Sequence, residues 1–288
     1  MTDLPRTAPA QQQAPPGTTG PMDPKPRDEM RDYTGAGHLA GRKALVTGGD
    51  SGIGRAVAVA FAKEGADVAI AYLDESEDHD AEHTATLVRQ EGRQCHLFRG
   101  DLADEQHCLR VVDEAADRLG GLDVLVNHAG TQMPVDDLSE ISTEQLDRTF
   151  RINVYALFWL CQAALRHLPD GAAIINTGSV NALRGNKGLI DYSASKASVH
   201  SLTQSLAQSL TPRRIRVNCV APGPVWTPLI PSTFGEGKVE GFGEGTPMGR
   251  MGHPDEIAPS YVFFATERLS SYYTGEVLAP VGGETHPG

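Results

Sequence analysis

From Gly41 onward, short unbroken apolar runs alternate with longer stretches in which apolar residues recur every three or four positions. The runs Lys43–Thr47, Val68–Tyr72, Gln94–Phe98, Asp123–Val126, Ala172–Thr177, Ile215–Val220 and Glu276–Val281 predict strands. Between them, helical spacing covers Ile53–Lys63, a charged segment continuing to about Gln90, Asp104–Leu119, Thr143–His167, Tyr192–Leu210 and Pro254–Glu267. A strand that is apolar at nearly every position is buried on both faces, and the intervening helices are the natural cover. The pattern therefore predicts an α/β fold, one doubly wound parallel sheet of about seven strands, over residues 38–288. Pro228–Gly252 interrupts the alternation with Gly and Pro and reads as a loop or lid. No short-period repeat appears.

Residues 1–37 have a different composition. Pro5, Pro9, Pro15, Pro16, Pro21, Pro24 and Pro26 punctuate Gln, Thr and Asp, with almost no large aliphatic residue. Such a segment buries too little apolar area to offset the entropy of ordering it. A Pro-rich, largely disordered extension is expected, disordered from Met1 to Gly20, with Met22–Gly37 and its Tyr33 lying along a surface. The chain has 288 residues, of which 40% are hydrophobic, enough for one substantial core, and a formal net charge of -12. The acidic balance argues against nucleic acid or an anionic membrane as partner. Cys95, Cys108, Cys161 and Cys219 show no CxxC spacing and read as reduced thiols. With no run of 18 apolar residues and no basic-then-apolar leader, a cytoplasmic protein is expected.

Two patterns carry chemistry. The first is Thr47-Gly48-Gly49-Asp50-Ser51-Gly52-Ile53-Gly54, set between the first strand and the first helix. Glycines there let the backbone turn tightly and approach a pyrophosphate, while the N–H groups of the helix start face the anion. The spacing is TGxxxGxG rather than GxGxxG. The second is Tyr192 with Lys196 four residues on, preceded by Ser179 at the end of a strand and Asn153 on a helix. Free tyrosine titrates near pH 10, and an ammonium one helical turn away stabilises its phenolate. Tyr192 can then exchange a proton with an alcohol or carbonyl, and the Ser179 hydroxyl can hold the substrate oxygen.

In this order the two patterns resemble the short-chain dehydrogenase/reductase family, over about Leu39 to Glu284. The long tail and the Gly48-Gly49-Asp50-Ser51-Gly52 turn are similar to a bacterial subset that includes general-stress proteins and aldehyde reductases. The resemblance implies a Rossmann fold and hydride transfer between NAD(P) and a small alcohol, aldehyde or ketone. It implies cofactor contacts from Gly48, Ser51, Gly52, Ile53 and Gly54 in the turn, and from Asp101 and Leu102 after the third strand. It extends them to Asn127, Ala129 and Gly130 after the fourth strand, and to Tyr192, Lys196, Pro222, Gly223, Val225 and Thr227. Lys196 would bond the nicotinamide ribose, Asn153 would position a water linking Lys196 to solvent, and Asp101 would accept from adenine. His128 stands where the family commonly has Asn. Asp74 after the second strand, with no cation nearby, favours NAD, and NADP remains open.

His79-Asp80-Ala81-Glu82-His83 matches the inverted zinc-protease pattern, but nothing indicates a third ligand, and no metal is expected. The competing function is a cofactor-binding sensor or scaffold without turnover; the intact Asn153, Ser179, Tyr192 and Lys196 argue against it. Trp159, Leu183, Trp226, Phe234, Phe242 and Met248 suggest a partly apolar pocket. From Leu157 to Cys161 the apolar residues run around the helix, so a second covered face is implied and with it a homo-oligomer. In the family such helices pair across two-fold axes to give a homotetramer.

Overall fold

The computed structural model describes residues 6–284. Strands β1 (Lys43–Thr47), β2 (Asp67–Tyr72), β3 (Cys95–Arg99), β4 (Val124–Asn127), β5 (Ala173–Thr177), β6 (Arg216–Val220) and β7 (Val277–Leu278) form one parallel sheet in the order β3-β2-β1-β4-β5-β6-β7. β1, β4, β5 and β6 are buried almost throughout, as their apolar runs require. Helix α1 (Gly52–Lys63) packs with α10 (Pro254–Ala265) on one face, and α3 (Glu105–Leu119), α5 (Ala156–Ala164) and α7 (Ile190–Leu210) cover the other. The remaining helices are α2 (Asp78–Gln90), α4 (Thr143–Phe150), α6 (Val180–Arg184), α8 (Leu229–Thr233), α9 (Glu236–Val239) and α11 (Glu267–Ser270). The chain reverses its direction of strand addition between β1 and β4, so a crevice opens at the carboxyl ends of those strands.

Three departures from the sequence pattern have local causes. The single helix expected over Thr143–His167 is α4 and α5 separated by a π-helical turn at Arg151–Tyr155. Such turns insert one residue into the ladder, which shifts the helix face after them and re-aims a side chain. β7 spans two residues rather than six, because Pro280 has no N–H to give a ladder and the glycines Gly282 and Gly283 follow. The Pro228–Gly252 segment holds the two short helices α8 and α9.

The N-terminal extension departs most from expectation. Residues 1–5 lie outside the described residues. Residues 6–37 form no helix, yet Ala8, Met22 and Met30 are buried against the domain. Asp28 is buried as well, in an ion pair with Arg55 at 3.1 Å. A few isolated anchors, rather than a continuous apolar stripe, hold this segment, which is why composition alone points to disorder. Among the described residues no helix is long and apolar enough to cross a membrane.

Candidate active site

The crevice holds a cavity of about 620 Å³ that runs from the end of β2 to the loop after β6. One wall is the glycine turn. Gly48 has φ +65°, and a side chain there would put its first carbon 3.1 Å from Ala129 Cα, so only glycine lets the β1 and β4 loops close on each other. Ser51 precedes α1 in extended conformation with no side-chain cap. The amides of a helix's first turn have no carbonyl within the helix, and the one on Gly52 donates to Asp28 Oδ2 at 3.2 Å. Gly48, Ser51, Gly52, Ile53, Asp101, Leu102, Ala129, Gly130, Pro222, Gly223, Val225 and Thr227 all line this cavity, together with Ser179, Tyr192 and Lys196. The glycine turn, the loops after β3 and β4 and the open crevice fit an elongated dinucleotide.

Three of the expected site residues lie off this wall. Gly54 is inside the first turn of α1. Asn127 and Asn153 lie behind it, where with Thr177 and Lys196 they line a second cavity of about 10 Å³. That is close to the volume one water needs. The π-helical turn carries Asn153 to the loop after β4, where its Oδ1 accepts from Thr131 N at 2.8 Å. Its Nδ2 donates to Thr131 O at 2.9 Å and to Ser195 Oγ at 3.0 Å. Asn153 Oδ1 and Lys196 Nζ lie 3.2 and 3.3 Å from where a side chain on Gly130 would begin, so both press against that backbone. Asn127 Nδ2 donates to Asn176 Oδ1 at 2.9 Å, and its Oδ1 is buried without a protein partner.

β5 and α7 bring the reactive groups together. Ser179 follows β5 as the N-cap of α6, where its hydroxyl accepts from Asn181 N at 3.1 Å. Tyr192 is half-buried, and Lys196, buried one turn later, has its Nζ 5.7 Å from the centre of the Tyr192 ring. Lys196 Nζ donates to Thr177 O at 2.8 Å. Burial pushes the Tyr192 phenol up from 10.0, and a side-chain hydrogen bond with Ser179 pulls the other way. The expected lowering by Lys196 does not appear in the protein alone: desolvation disfavours the phenolate, and the phenol keeps its proton at neutral pH. Burial also lowers Lys196 to about 8.

His128 settles into the place usually taken by Asn. Its Nδ1 and the Thr177 hydroxyl are 3.1 Å apart, and that hydroxyl is 2.7 Å from the Tyr261 OH. Burial and the Lys196 charge push the imidazole down to about 3, so it stays neutral. The backbone path is kept by Thr47, whose Oγ1 accepts from His128 N at 3.0 Å and Ala129 N at 3.1 Å.

At the β2 end, Asp74 lines the cavity with one carboxylate oxygen committed to its own turn, and its bonds to Ser76 hold the carboxyl below its usual value. Its Oδ1 caps the following turn, accepting from Ser76 N at 2.9 Å and Ser76 Oγ at 2.6 Å. Asp50 and Glu77, which motif reading did not place here, line the same end of the cavity. Burial pushes Asp50 up to about 6, and burial with the Asp50 charge pushes Glu77 up to about 8, so at neutral pH Glu77 holds its proton while Asp50 keeps most of its charge. Asp101 already has both oxygens engaged, by Ala103 N at 2.9 Å and Arg148 at 2.5 Å.

Of the residues expected to shape a pocket, Phe234 and Phe242 do line the cavity. Trp226 is fully buried in a separate cluster, Trp159 packs beside Tyr155, and Met248 is 66% exposed. Gln132, Arg148, Asn181 and Arg184 also line the cavity and belong to no motif that singles them out. Among the described residues no group of three or more His, Cys, Asp or Glu is placed to hold a metal ion. In the HxxEH segment, His83 Nε2 lies 2.9 Å from Glu29 Oε1 of the N-terminal extension.

A family model described as enoyl-(acyl carrier protein) reductase matches residues 48–285. General stress protein 39 of Bacillus subtilis (strain 168) is 51% identical over 284 residues, 98% of either chain. The chloroplastic NADPH-dependent aldehyde reductase 1 of Arabidopsis thaliana is 45% identical over 276 residues, 94% of this chain and 96% of that one. A solved short chain dehydrogenase from Burkholderia cenocepacia J2315 in complex with NADP superposes with a TM-score of 0.79. It shares 35% identity and covers 85% of this chain and 98% of its own.

Proposed function

The chain belongs to the short-chain dehydrogenase/reductase family, and from that premise we propose that it reduces a small aldehyde or ketone, or oxidises the matching alcohol, with NADP(H). The observation that carries this reading is Ser179, Tyr192 and Lys196 on the wall of one cavity with the glycine turn. A reduced nicotinamide bound there supplies the hydride. Ser179 holds the carbonyl oxygen, and the protonated Tyr192 delivers its proton to that oxygen as the carbon gains the hydride. Lys196, its ammonium fixed by Thr177 O, steadies the phenolate left behind and reaches the ribose. Asn153 keeps the loop after β4 in place beside Lys196 through its two bonds to Thr131, with the small cavity holding the water that returns the proton. Pro222, Gly223, Val225 and Thr227, on the cavity wall, would support the nicotinamide end, and Ile53, Ser51 and Gly52 would hold the pyrophosphate.

The sequence pointed to NAD through Asp74, and that preference is not supported by the relatives named for NADP and NADPH. One Asp74 oxygen is engaged in its own turn, burial holds Glu77 toward its neutral form, and the relatives whose names state a cofactor include NADP and NADPH beside one NADH-dependent reductase. A carbonyl panel assayed by absorbance of the reduced nicotinamide tests the whole reading. Turnover with kcat/KM higher for NADPH than for NADH is expected. Cofactor binding without turnover on any carbonyl would leave the sensor reading in its place.

The assembly reading is a homotetramer. α5 buries Ala156, Leu157, Leu160 and Cys161 in the core, while Leu146, Tyr155 and Phe158 on the same helical run remain 42–45% exposed. An apolar second face of this kind is what a partner copy covers. Light scattering at micromolar concentration is expected to give a mass near four times 30.8 kDa, and a 30.8 kDa species would refute it.

A further inference from the structure

The N-terminal extension touches the lid, residues 228–252, along much of its length. Ala8 forms a bridge with Glu240, and Gln13 N donates to Pro231 O at 2.7 Å. Just before the lid, Trp226 Nε1 donates to Pro24 O at 2.7 Å. Ala8 and Met22 share an apolar cluster with Trp226, Ile230, Val239 and Met251. The same segment is tied to the dinucleotide-binding half. Thr19 N donates to Asp80 Oδ2 at 2.7 Å, and Asp28 meets both Arg55 and the Gly52 amide at the start of α1. Between these ties Pro15 and Pro16 reach the wall of the main cavity.

We propose that residues 8–30 are a strap that positions the lid over the cavity, with Pro15 and Pro16 as part of the wall a bound ligand meets. Apart from the strap, the lid meets the rest of the fold through scattered hydrogen bonds, such as Gln132 Nε2 to Thr233 Oγ1 at 2.9 Å and Met248 N to Gly282 O at 3.0 Å. Its helices α8 and α9 have five and four residues, far below the length at which a helix persists alone. Its apolar residues find partners on the strap, and the strap is fixed at its other edge by α1 and α2. A lid held this way excludes water and keeps both reactants in register. The kinetic consequence rests on the hydride-transfer reading; the mechanical one does not.

Gly17 supplies the test. Its φ is +83°, and a first side-chain carbon there would lie 2.6 Å from Pro228 O and 2.7 Å from Ser232 Cβ. Gly17→Val in the full chain therefore pries the strap from the lid, whereas Gly20→Val is the control, since a carbon there meets nothing within 4 Å. Trypsin cleavage after Lys238, exposed on α9, reads the lid directly. Gly17→Val is expected to speed that cut, and to raise KM for cofactor or carbonyl, by at least about tenfold, the equivalent of 1.4 kcal/mol. Gly20→Val is expected to match the wild type. If Gly17→Val does not fold, Ala8→Asp, which buries a charge at the far end of the strap, takes its place with the same expectation. Lid cleavage and KM both at wild-type levels in a folded strap variant would overturn the proposal. If the wild type turns over no carbonyl, the function reading falls, and the cleavage rates still decide the strap.

Discussion

Replacing Tyr192 by Phe is expected to cut carbonyl reduction at least about 100-fold while leaving cofactor affinity nearly unchanged, the scale of losing a positioned general acid. The substitution removes one hydroxyl and keeps the ring that Lys196 faces. Because burial holds the phenol above its ordinary value, the wild-type donor is fully protonated at neutral pH, and the missing proton accounts for the whole loss. The wild-type pH profile adds an independent check. Lys196 is lowered from 10.5 to about 8, so reduction is expected to decline as pH rises through about 8 and the ammonium beside the phenolate is lost. The sign for stability is opposite. Between about 8 and 10.5 the unfolded chain binds more protons at this lysine than the folded one, so its contribution to stability rises with pH. Alkaline loss of activity with a melting temperature that does not fall thus marks titration at the site rather than unfolding. A Phe variant within tenfold of wild-type kcat would remove Tyr192 from the mechanism.

The sheet and the pairing of Tyr192 with Lys196 on one helix were readable for one physical reason: each depends on spacing within a single segment. β1, β4, β5 and β6 are buried on both faces, so their apolar runs mark them within a residue or so of their ends. Tyr192 and Lys196 are one turn apart on one helix, and the glycine turn is contiguous. What spacing cannot report is a contact made by a single residue across the fold. The π-helical turn that aims Asn153 is a change in backbone hydrogen bonding that no residue type in Arg151–Tyr155 announces. Asp74 reads as a free acid in sequence and is a turn cap in the structure. The extension looks disordered because it offers no stripe, only Ala8, Met22, Asp28 and Met30 at separate points, each with a partner more than 20 residues away. The one signal available was Arg55, a charged residue in the run Gly52–Lys63 whose other members up to Ala62 are all small or apolar. A helix buried on every side has no place for a cation unless anions come to it.

Those anions make Arg55→Met the substitution with the largest expected effect on stability. Arg55 is 1% exposed. Its guanidinium pairs with Asp28 at 3.1 Å and Asp80 at 2.8 Å, and its Nε donates to Asp50 O and Thr84 Oγ1, each at 3.0 Å. One side chain thus joins the strap, the glycine turn and α2. Methionine fills much of the same volume but leaves two buried carboxylates without their cation, and breaking a buried pair from one side costs about 3–5 kcal/mol. Urea unfolding near pH 7.5 is expected to report a loss of that order. The pH dependence carries the mechanism. Even with Arg55 present, burial raises Asp28 from 3.8 to about 6, and removing the cation raises it further. A folded-state carboxyl above its unfolded value takes up protons that the unfolded chain does not, so stability contributed by Asp28 is fully present at low pH and lost as pH climbs through the folded value. The deficit of the variant is therefore expected to shrink as pH is lowered from 8 to 5, as the stranded Asp28 carboxyl becomes neutral. A loss under about 1 kcal/mol, the scale of an exposed pair, or a deficit that does not change over that range, would mean that Arg55 is not the junction between the strap and the dinucleotide site.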